Sequence, residues 1–356
     1  MLKKIFSHSL IYGLAPQIPK IANLFVLPII TQFLTEDDFG VAGLIGSVVA
    51  SIAVFANLGL NVTLSNSFYK SPGSFHWRWR QTYGFLILWN VPFAFLMAIL
   101  IYFFIPEIAK ENTLYIILAN VIPIVFFGPT STIGSLYFQL NQKPFQIGLR
   151  NMIIGLVTVL LNLIFIAYYE MGYMGWFLAG GISTMLLQLS YWFPMNIKYN
   201  MKPIFNFKWR YLKEQLKIGI PTIPHYYGSY LLNSSDRMIM DVLKVSTGDI
   251  GKYNAAGNVA NNGNHVGVAV GKAISPFLLK YYRDNKEEKA KLLIYMLQTI
   301  FLAGSFIICI WMKEIFSFLI RNETLKMVYP LAIIMLMGYN YRPMYLGSVS
   351  KLMYLE

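Results

Sequence analysis

Charge is scarce in this chain. Of its 356 residues only 13% are Asp, Glu, Lys or Arg, about half the ~25% of an average soluble domain. So little charge cannot clothe a surface for water, which excludes an ordinary soluble enzyme or binding module. Acids are scarcer than bases, 16 against 29. Cysteine is almost missing: Cys309 stands alone, which excludes an internal disulfide and a cysteine metal cluster. The sequence holds no Gly-x4-Gly-Lys-Ser/Thr run, so no phosphate-cradling loop, and no cofactor, is expected. It also lacks the small-residue cleavage site of a secretory leader. The basic stretch Met1–Lys4 precedes an apolar run too long for one, so the first apolar segment is expected to remain as a span.

Apolar residues fill the space that charge leaves. They make up 56% of the chain, with 26 Phe, 24 Tyr, 17 Met and 7 Trp. They fall in ten blocks, near 9–33, 40–64, 81–105, 114–138, 146–168, 172–196, 218–242, 250–278, 292–312 and 326–348. Each is long enough for a helix to cross about 30 Å of hydrocarbon, which takes about 20 residues. A stretch such as Ile153–Ala167 shows no alternation of apolar and polar residues, so a β-barrel is excluded and helices are expected. The fold class read from this is an all-α integral membrane protein of about ten transmembrane helices.

Lys and Arg collect in cytoplasmic loops. If alternate connections face alternate sides, one side receives Lys3, Lys4, Lys70, Arg78, Arg80, Lys143, Arg150, the basic residues of 198–217 and 272–291, Arg342 and Lys351. The other receives only Lys110, Lys244, Lys252, Lys313, Arg321 and Lys326, and it holds the acids Glu36, Asp37, Asp38, Glu107, Glu111 and Glu170. Both termini are therefore expected in the cytoplasm, and the net charge of +13 marks orientation toward an anionic leaflet, with no nucleic-acid partner. The segment 199–217 is basic, carries Phe205, Phe207, Trp209 and Tyr211, and reads as a linker at the membrane interface.

The chain repeats itself. The first block opens Tyr12-Gly13-Leu14-Ala15-Pro16-Gln17-Ile18-Pro19 and the seventh Ile218-Gly219-Ile220-Pro221-Thr222-Ile223-Pro224. Each is followed by an acidic turn, Thr35-Glu36-Asp37-Asp38-Phe39-Gly40 and Ser246-Thr247-Gly248-Asp249-Ile250-Gly251, and the next helix of each ends in an aromatic-basic corner, Phe68-Tyr69-Lys70 and Tyr281-Tyr282-Arg283. An offset of six spans keeps orientation, so the halves are expected to be parallel repeats with substrate between them. The organisation read is a six-helix bundle at 1–198, the linker 199–217, and a second bundle at 218–356. That second copy shows only four spans, and two more are expected to belong to the full protein.

Gly13-Leu14-Ala15-Pro16, the turn Thr35–Gly40, Ser235-Asp236-Arg237-Met238-Ile239 and Asp249-Ile250-Gly251-Lys252-Tyr253-Asn254-Ala255 together resemble the polysaccharide transporter branch of the multidrug/oligosaccharidyl-lipid/polysaccharide exporter superfamily. The resemblance implies a flippase of the bacterial cytoplasmic membrane that carries an undecaprenyl-pyrophosphate-linked oligosaccharide, for O-antigen, lipopolysaccharide or capsule, from the inner to the outer leaflet. It implies membrane lipids, a polysaccharide polymerase and chain-length machinery as partners. Members usually have twelve to fourteen spans, so a chain of ten departs from the pattern.

Charges and amides inside the blocks are the candidate pathway residues. Lys20, deep in the first block, reads as a cation for a pyrophosphate or as a snorkelling or paired side chain. Asp236 and Arg237 read as cavity lining or as a local pair, with Asp241 one turn on as a competing partner for the arginine. His225 and His265 could couple transport to protons or simply bond carbonyls. In the eighth block Asn254, Asn258, Asn261, Asn262 and His265 fall on one stripe, with Lys272 below, and Asn57 and Asn61 form a shorter stripe in the second block. Such amides suit sugar hydroxyls, and equally suit helix–helix bonding. Pro16, Pro19, Pro28, Pro221 and Pro224 allow bending, or fix static kinks.

Two other functions compete. A cation-coupled drug or metabolite antiporter shares the fold, although Lys20, the charge deep in the first block, is basic. A membrane glycosyltransferase or polymerase needs catalytic acids or large outer loops, and this sequence offers neither, so no enzyme is expected.

Overall fold

The computed structural model describes residues 17–206 and 208–355. The Gly13–Pro16 motif lies outside the described residues. Among them there is helix and loop but no β-strand. The principal helices are α1 (Gln17–Ile30), α2 (Glu36–Ala53), α3 (Leu60–Lys70), α4 (Phe75–Phe104), α5 (Thr113–Phe127), α6 (Thr130–Leu140), α7 (Pro144–Asn162), α8 (Tyr173–Phe193) and α9 (Trp209–Gly219). They continue as α10 (Ile223–Asn233), α11 (Ser235–Val242), α12 (Thr247–Arg283), α13 (Glu287–Ile310), α14 (Met312–Leu319), α15 (Glu323–Lys326), α16 (Tyr329–Gly338) and α17 (Arg342–Leu355).

Every one of the ten apolar blocks carries helix. Five stretches, Glu36–Lys70, Phe75–Phe104, Glu107–Phe127, Pro144–Tyr168 and Glu287–Ile310, are long and apolar enough by themselves to cross a bilayer. The outward faces of these and of the other blocks are oily: Phe103, Phe126, Leu232 and Ile334 are each more than two-thirds exposed. Water would penalise that surface and hydrocarbon does not. The protein is an all-helical membrane protein.

Several blocks are broken, and in the second and fourth the break has a visible cause. In the second block a 3-10 turn runs into Leu58 and Gly59, both left-handed, before α3 begins. Gly59 is required twice over, by its φ of 68° and because a Cβ there would stand 2.1 Å from the Gly219 carbonyl oxygen. The fourth block breaks at Gly128 (φ 53°) and Pro129. The backbone group this frees is held from another span, since Ser131 N donates to Gln188 Oε1 at 2.7 Å. The seventh block is interrupted at Ser234, and the tenth at a 3-10 turn, Tyr339–Tyr341.

Two helix starts organise the molecule. At α2, Thr35 Oγ1 accepts from Asp38 N (3.2 Å) while Thr35 N donates to Asp38 Oδ2 (2.7 Å), a reciprocal cap. At α12, Ser246 Oγ accepts from Asp249 N at 3.1 Å. Acids fill both first turns, where the helix dipole favours them. The two capped ends lie side by side. A Cβ on Gly251 would fall 1.7 Å from the Glu36 carbonyl oxygen, and one on Gly40 2.0 Å from that of Thr247. The same end is closed by a mixed core in which Val26, Ile30 and Leu34 meet Val259, Phe316, Leu319 and Leu325. Away from it the continuation of α2 turns elsewhere: α3 packs on α4, α6 and α9, and α12 on α16 and α17. The pair α2–α12 is thus tight at one end and diverges toward the other.

Candidate functional site

Where α2 and α12 begin to part, a cavity of about 410 Å³ opens. Small residues of α2 make the room, Gly43, Gly46 and Ser47. Asn254, Asn258 and Asn261 of α12 form the facing wall, Trp176 of α8 a third side, and Asn233, Ser234 and Arg237, at the break between α10 and α11, the fourth.

The break is what brings polar groups to this depth. Ser234 ends α10 outside the helical region, with φ −141°. Its carbonyl accepts from Ser47 Oγ at 2.5 Å, and the Asn233 carbonyl accepts from Arg237 Nη1 at 3.2 Å. Interrupted helices with half-helix ends at a central site are a recurring transporter device.

Arg237 is the hub. Its side chain is 14% exposed. Nε donates to Asn254 Oδ1 at 3.0 Å, and Nη1 to Asp236 Oδ1 at 3.1 Å. The guanidinium carbon lies 5.6 Å from the Tyr253 ring centroid. Nη2 lies over Gly257, where a Cβ would come within 3.2 Å. Tyr253 also donates its hydroxyl to Asp236 Oδ2. Asn254, 8% exposed, spends its own amide on the Phe39 carbonyl at 3.0 Å. The arginine is therefore tied through Asn254 to the backbone of the opposite helix.

The sequence candidates divide accordingly. Arg237, Asn254, Asn258 and Asn261 meet at the cavity, with Asp236 directly beside them. Arg237 pairs with Asp236 rather than with Asp241 among the described ion pairs. Asn262 turns back along its helix, donating to the Asn258 carbonyl at 3.3 Å. Lys20 is half-buried on α1, the helix that packs on α7 with Pro19 against Gly155. Asn57 and Asn61 flank the Leu58–Gly59 break, half-buried, and Asn61 Oδ1 is buried without a partner. His225 is exposed on α10 beside Tyr226. None of these lines the cavity. His265 and Lys272 belong to α12, and their side chains lie outside the described residues.

Tyr253, Ser47, Ser234 and Trp176 belong to the site and carry no charge to announce them. The run Asn233-Ser234-Ser235 inside an apolar block is a signal that could have marked the helix break.

A family profile described as "Polysaccharide biosynthesis protein" matches residues 1–282. No curated protein matches. Among solved structures, a transporter of the MOP superfamily from Pyrococcus furiosus is similar with a TM-score of 0.60 at 15% identity, over 98% of this chain and 83% of that one. A MATE transporter in its straight conformation gives 0.58 at 15%, over 99% and 85%. A mutant of the Vibrio cholerae MATE transporter VcmN gives 0.56 at 13%, over 99% and 86%. At such identities the likeness is one of fold.

Proposed function

Since the chain belongs to the polysaccharide biosynthesis protein family and has the MOP transporter fold, we propose that it is a flippase that carries a polyprenyl-pyrophosphate-linked oligosaccharide across the bacterial cytoplasmic membrane. The observation that supports this best is the chemistry of the cavity: one guanidinium beside a wall of amides, at the break of a span. Arginine presents a planar fork suited to phosphate oxygens. Amides donate and accept, as sugar hydroxyls require. The Pyrococcus furiosus transporter is described as having a binding pocket of reversed polarity that suggests a different function. A basic and amide pocket on the same fold fits a similar departure here.

In this reading the bundle 1–198 moves against 218–356, 199–217 is the cytoplasmic linker, and both termini face the cytoplasm. The capped ends of α2 and α12 then lie outside, and the cavity opens inward. Lys20, Asn57, Asn61, His225, His265 and Lys272 stand along the path that opens as the halves rock. Polymerase and chain-length proteins take up the product.

The test is export of lipid-linked oligosaccharide in cells that lack their own flippase, at matched protein level in the membrane. Arg237→Gln is expected to abolish export. Normal export by that variant would remove the cavity from the pathway and sink the proposal. Asp236, with 40% of its side chain exposed, favours a second reading, a cation-coupled antiporter. That reading expects Asp236→Asn to remove the pH dependence of efflux of small cationic substrates.

A further inference from the structure

Arg237 is not the only arginine at the face of α12. The tenth span breaks at Tyr339–Tyr341, and Arg342 opens the helix beyond it. A Cβ on Gly267 would lie 3.7 Å from the Arg342 Cβ, so Arg342 stands against α12 ten residues below the level where Arg237 meets Gly257. At 1.5 Å per residue that is about 15 Å along the same helix, and about 30 Å from its capped end. Hydrocarbon is about 30 Å thick. Arg237 thus sits near the middle of the membrane, and Arg342 at the boundary with the far headgroups.

Three observations single it out. Arg342 Nε is buried and has no hydrogen-bond partner. Among the described residues no carboxylate forms an ion pair with it. Its break is nonetheless carefully satisfied: Gln298 Nε2 donates to the Asn340 carbonyl at 2.8 Å, and Ser305 Oγ to Asn340 Oδ1 at 2.6 Å. Among the described residues, the neighbouring polar groups Gln298 and Ser305 go to Asn340 and none goes to the guanidinium, whose carbon lies 5.4 Å from the Tyr341 ring centroid. A buried guanidinium nitrogen left without an acceptor is costly and calls for an anion to take its hydrogen. The amides between the two levels are continuous. Asn264, 8% exposed, donates to Asn261 Oδ1 at 2.9 Å and keeps its own Oδ1 buried without a partner. The Tyr339 hydroxyl, between the levels, lies within electrostatic reach of both arginines.

We propose that Arg342 is a second anion-binding position, which takes the diphosphate of a polyprenyl-linked substrate from the inner leaflet and passes it along the Asn264–Asn261–Asn258 wall to Arg237. This rests on the flippase reading for its substrate. It adds a loading site that the cavity alone does not contain, and it explains why a charge stands at the headgroup level facing protein.

The test uses the full chain in detergent with three probes: geranylgeranyl pyrophosphate, geranylgeraniol, and phosphatidylglycerol. In the native protein, an arginine-selective dicarbonyl reagent followed by peptide mapping reads the reactivity of Arg342. Geranylgeranyl pyrophosphate is expected to slow modification of Arg342 about ten-fold, while the other two probes leave it unchanged. Equal protection by phosphatidylglycerol would assign Arg342 to bulk anionic lipid and overturn the proposal, as would no protection at all. In binding measurements Arg342→Gln should weaken geranylgeranyl pyrophosphate about ten-fold, about 1.4 kcal/mol, and Arg342→Lys should recover most of it. Binding lost in Arg237→Gln but unchanged in Arg342→Gln would reject the loading site and keep the flippase reading. Binding indifferent to both substitutions, with geranylgeraniol bound equally well, would reject the reading itself.

Discussion

Arg237 uses its guanidinium edge by edge: Nε toward Asn254, Nη1 toward Asp236 and the Asn233 carbonyl, Nη2 over Gly257. A lysine keeps the charge but is a point donor on a flexible stem and cannot span these groups together. Arg237→Lys is therefore expected to lose transport nearly as fully as Arg237→Gln, and to cost about 1–3 kcal/mol of stability through the partners it leaves unmatched. Transport at matched membrane level and a thermal denaturation curve read the two effects separately. Full activity in Arg237→Lys would mean that charge alone matters at this position. Asp236 and Arg237 were legible as candidates because charges in an apolar block draw the eye. Which acid the arginine takes was not legible, because spacing allows both Asp236 and Asp241 and only the break at Ser234 turns the guanidinium toward the first.

At the scale of elements, the α2–α12 contact depends on missing side chains. Gly251→Ala puts a methyl 1.7 Å from the Glu36 carbonyl, whereas a Cβ at Gly46 meets nothing within 4 Å. Gly251→Ala is expected to lower the melting temperature, with a cost of about 1–3 kcal/mol as overpacking does. Gly46→Ala should leave the melting temperature unchanged, although it enters the cavity. Equal stability of the two variants would contradict the packing. The cap of α12 gives a pH prediction. The hydrogen bond from Ser246, followed by that from Lys252, holds the Asp249 carboxyl below the usual carboxylate range. A carboxyl whose folded value is depressed contributes stability above its unfolded value, about pH 3.9, and loses it as pH falls through the lower folded value. Asp249→Asn should therefore flatten the acid side of the stability profile, below about pH 4, and lower stability slightly at neutral pH. An unchanged acid limb would show that the cap is not coupled to titration.

At the scale of the molecule, the capped end joins the first span to the loop after α14. Arg321 N donates to Thr31 Oγ1 at 3.0 Å, and Asn322 Nδ2 to the Leu34 carbonyl at 2.9 Å. In the proposed flippase, alternating access would require this end to open. In a Cys309→Ser background, Thr31→Cys with Arg321→Cys should crosslink on oxidation, stop transport, and recover on reduction. Transport that continues at full rate through the crosslinked form would mean that the halves do not part here.

The sequence determined the solvent, the element type and the two capped turns by itself. These follow from local quantities: runs of apolar residues longer than the bilayer needs, and Thr35 and Ser246 each placed three residues before an acid. It also marked the amide stripe of the eighth block, because helical periodicity fixes which residues share a face. Only the tertiary structure decided which of those amides a cavity uses. Asn254, Asn258 and Asn261 line it, with Asn254 also held by the Phe39 carbonyl and Arg237, and that depends on how close Gly40, Gly43 and Gly251 let two distant helices come. Arg342 shows the same division. Charge counting assigns it to an inner loop, since it follows an apolar run and precedes the end of a block. The 3-10 turn at Tyr339–Tyr341 and the packing on Gly267 set it against α12 instead, with one nitrogen buried. Loop or membrane, paired or unpaired, is a property of its neighbours in space, and no window along the chain contains them.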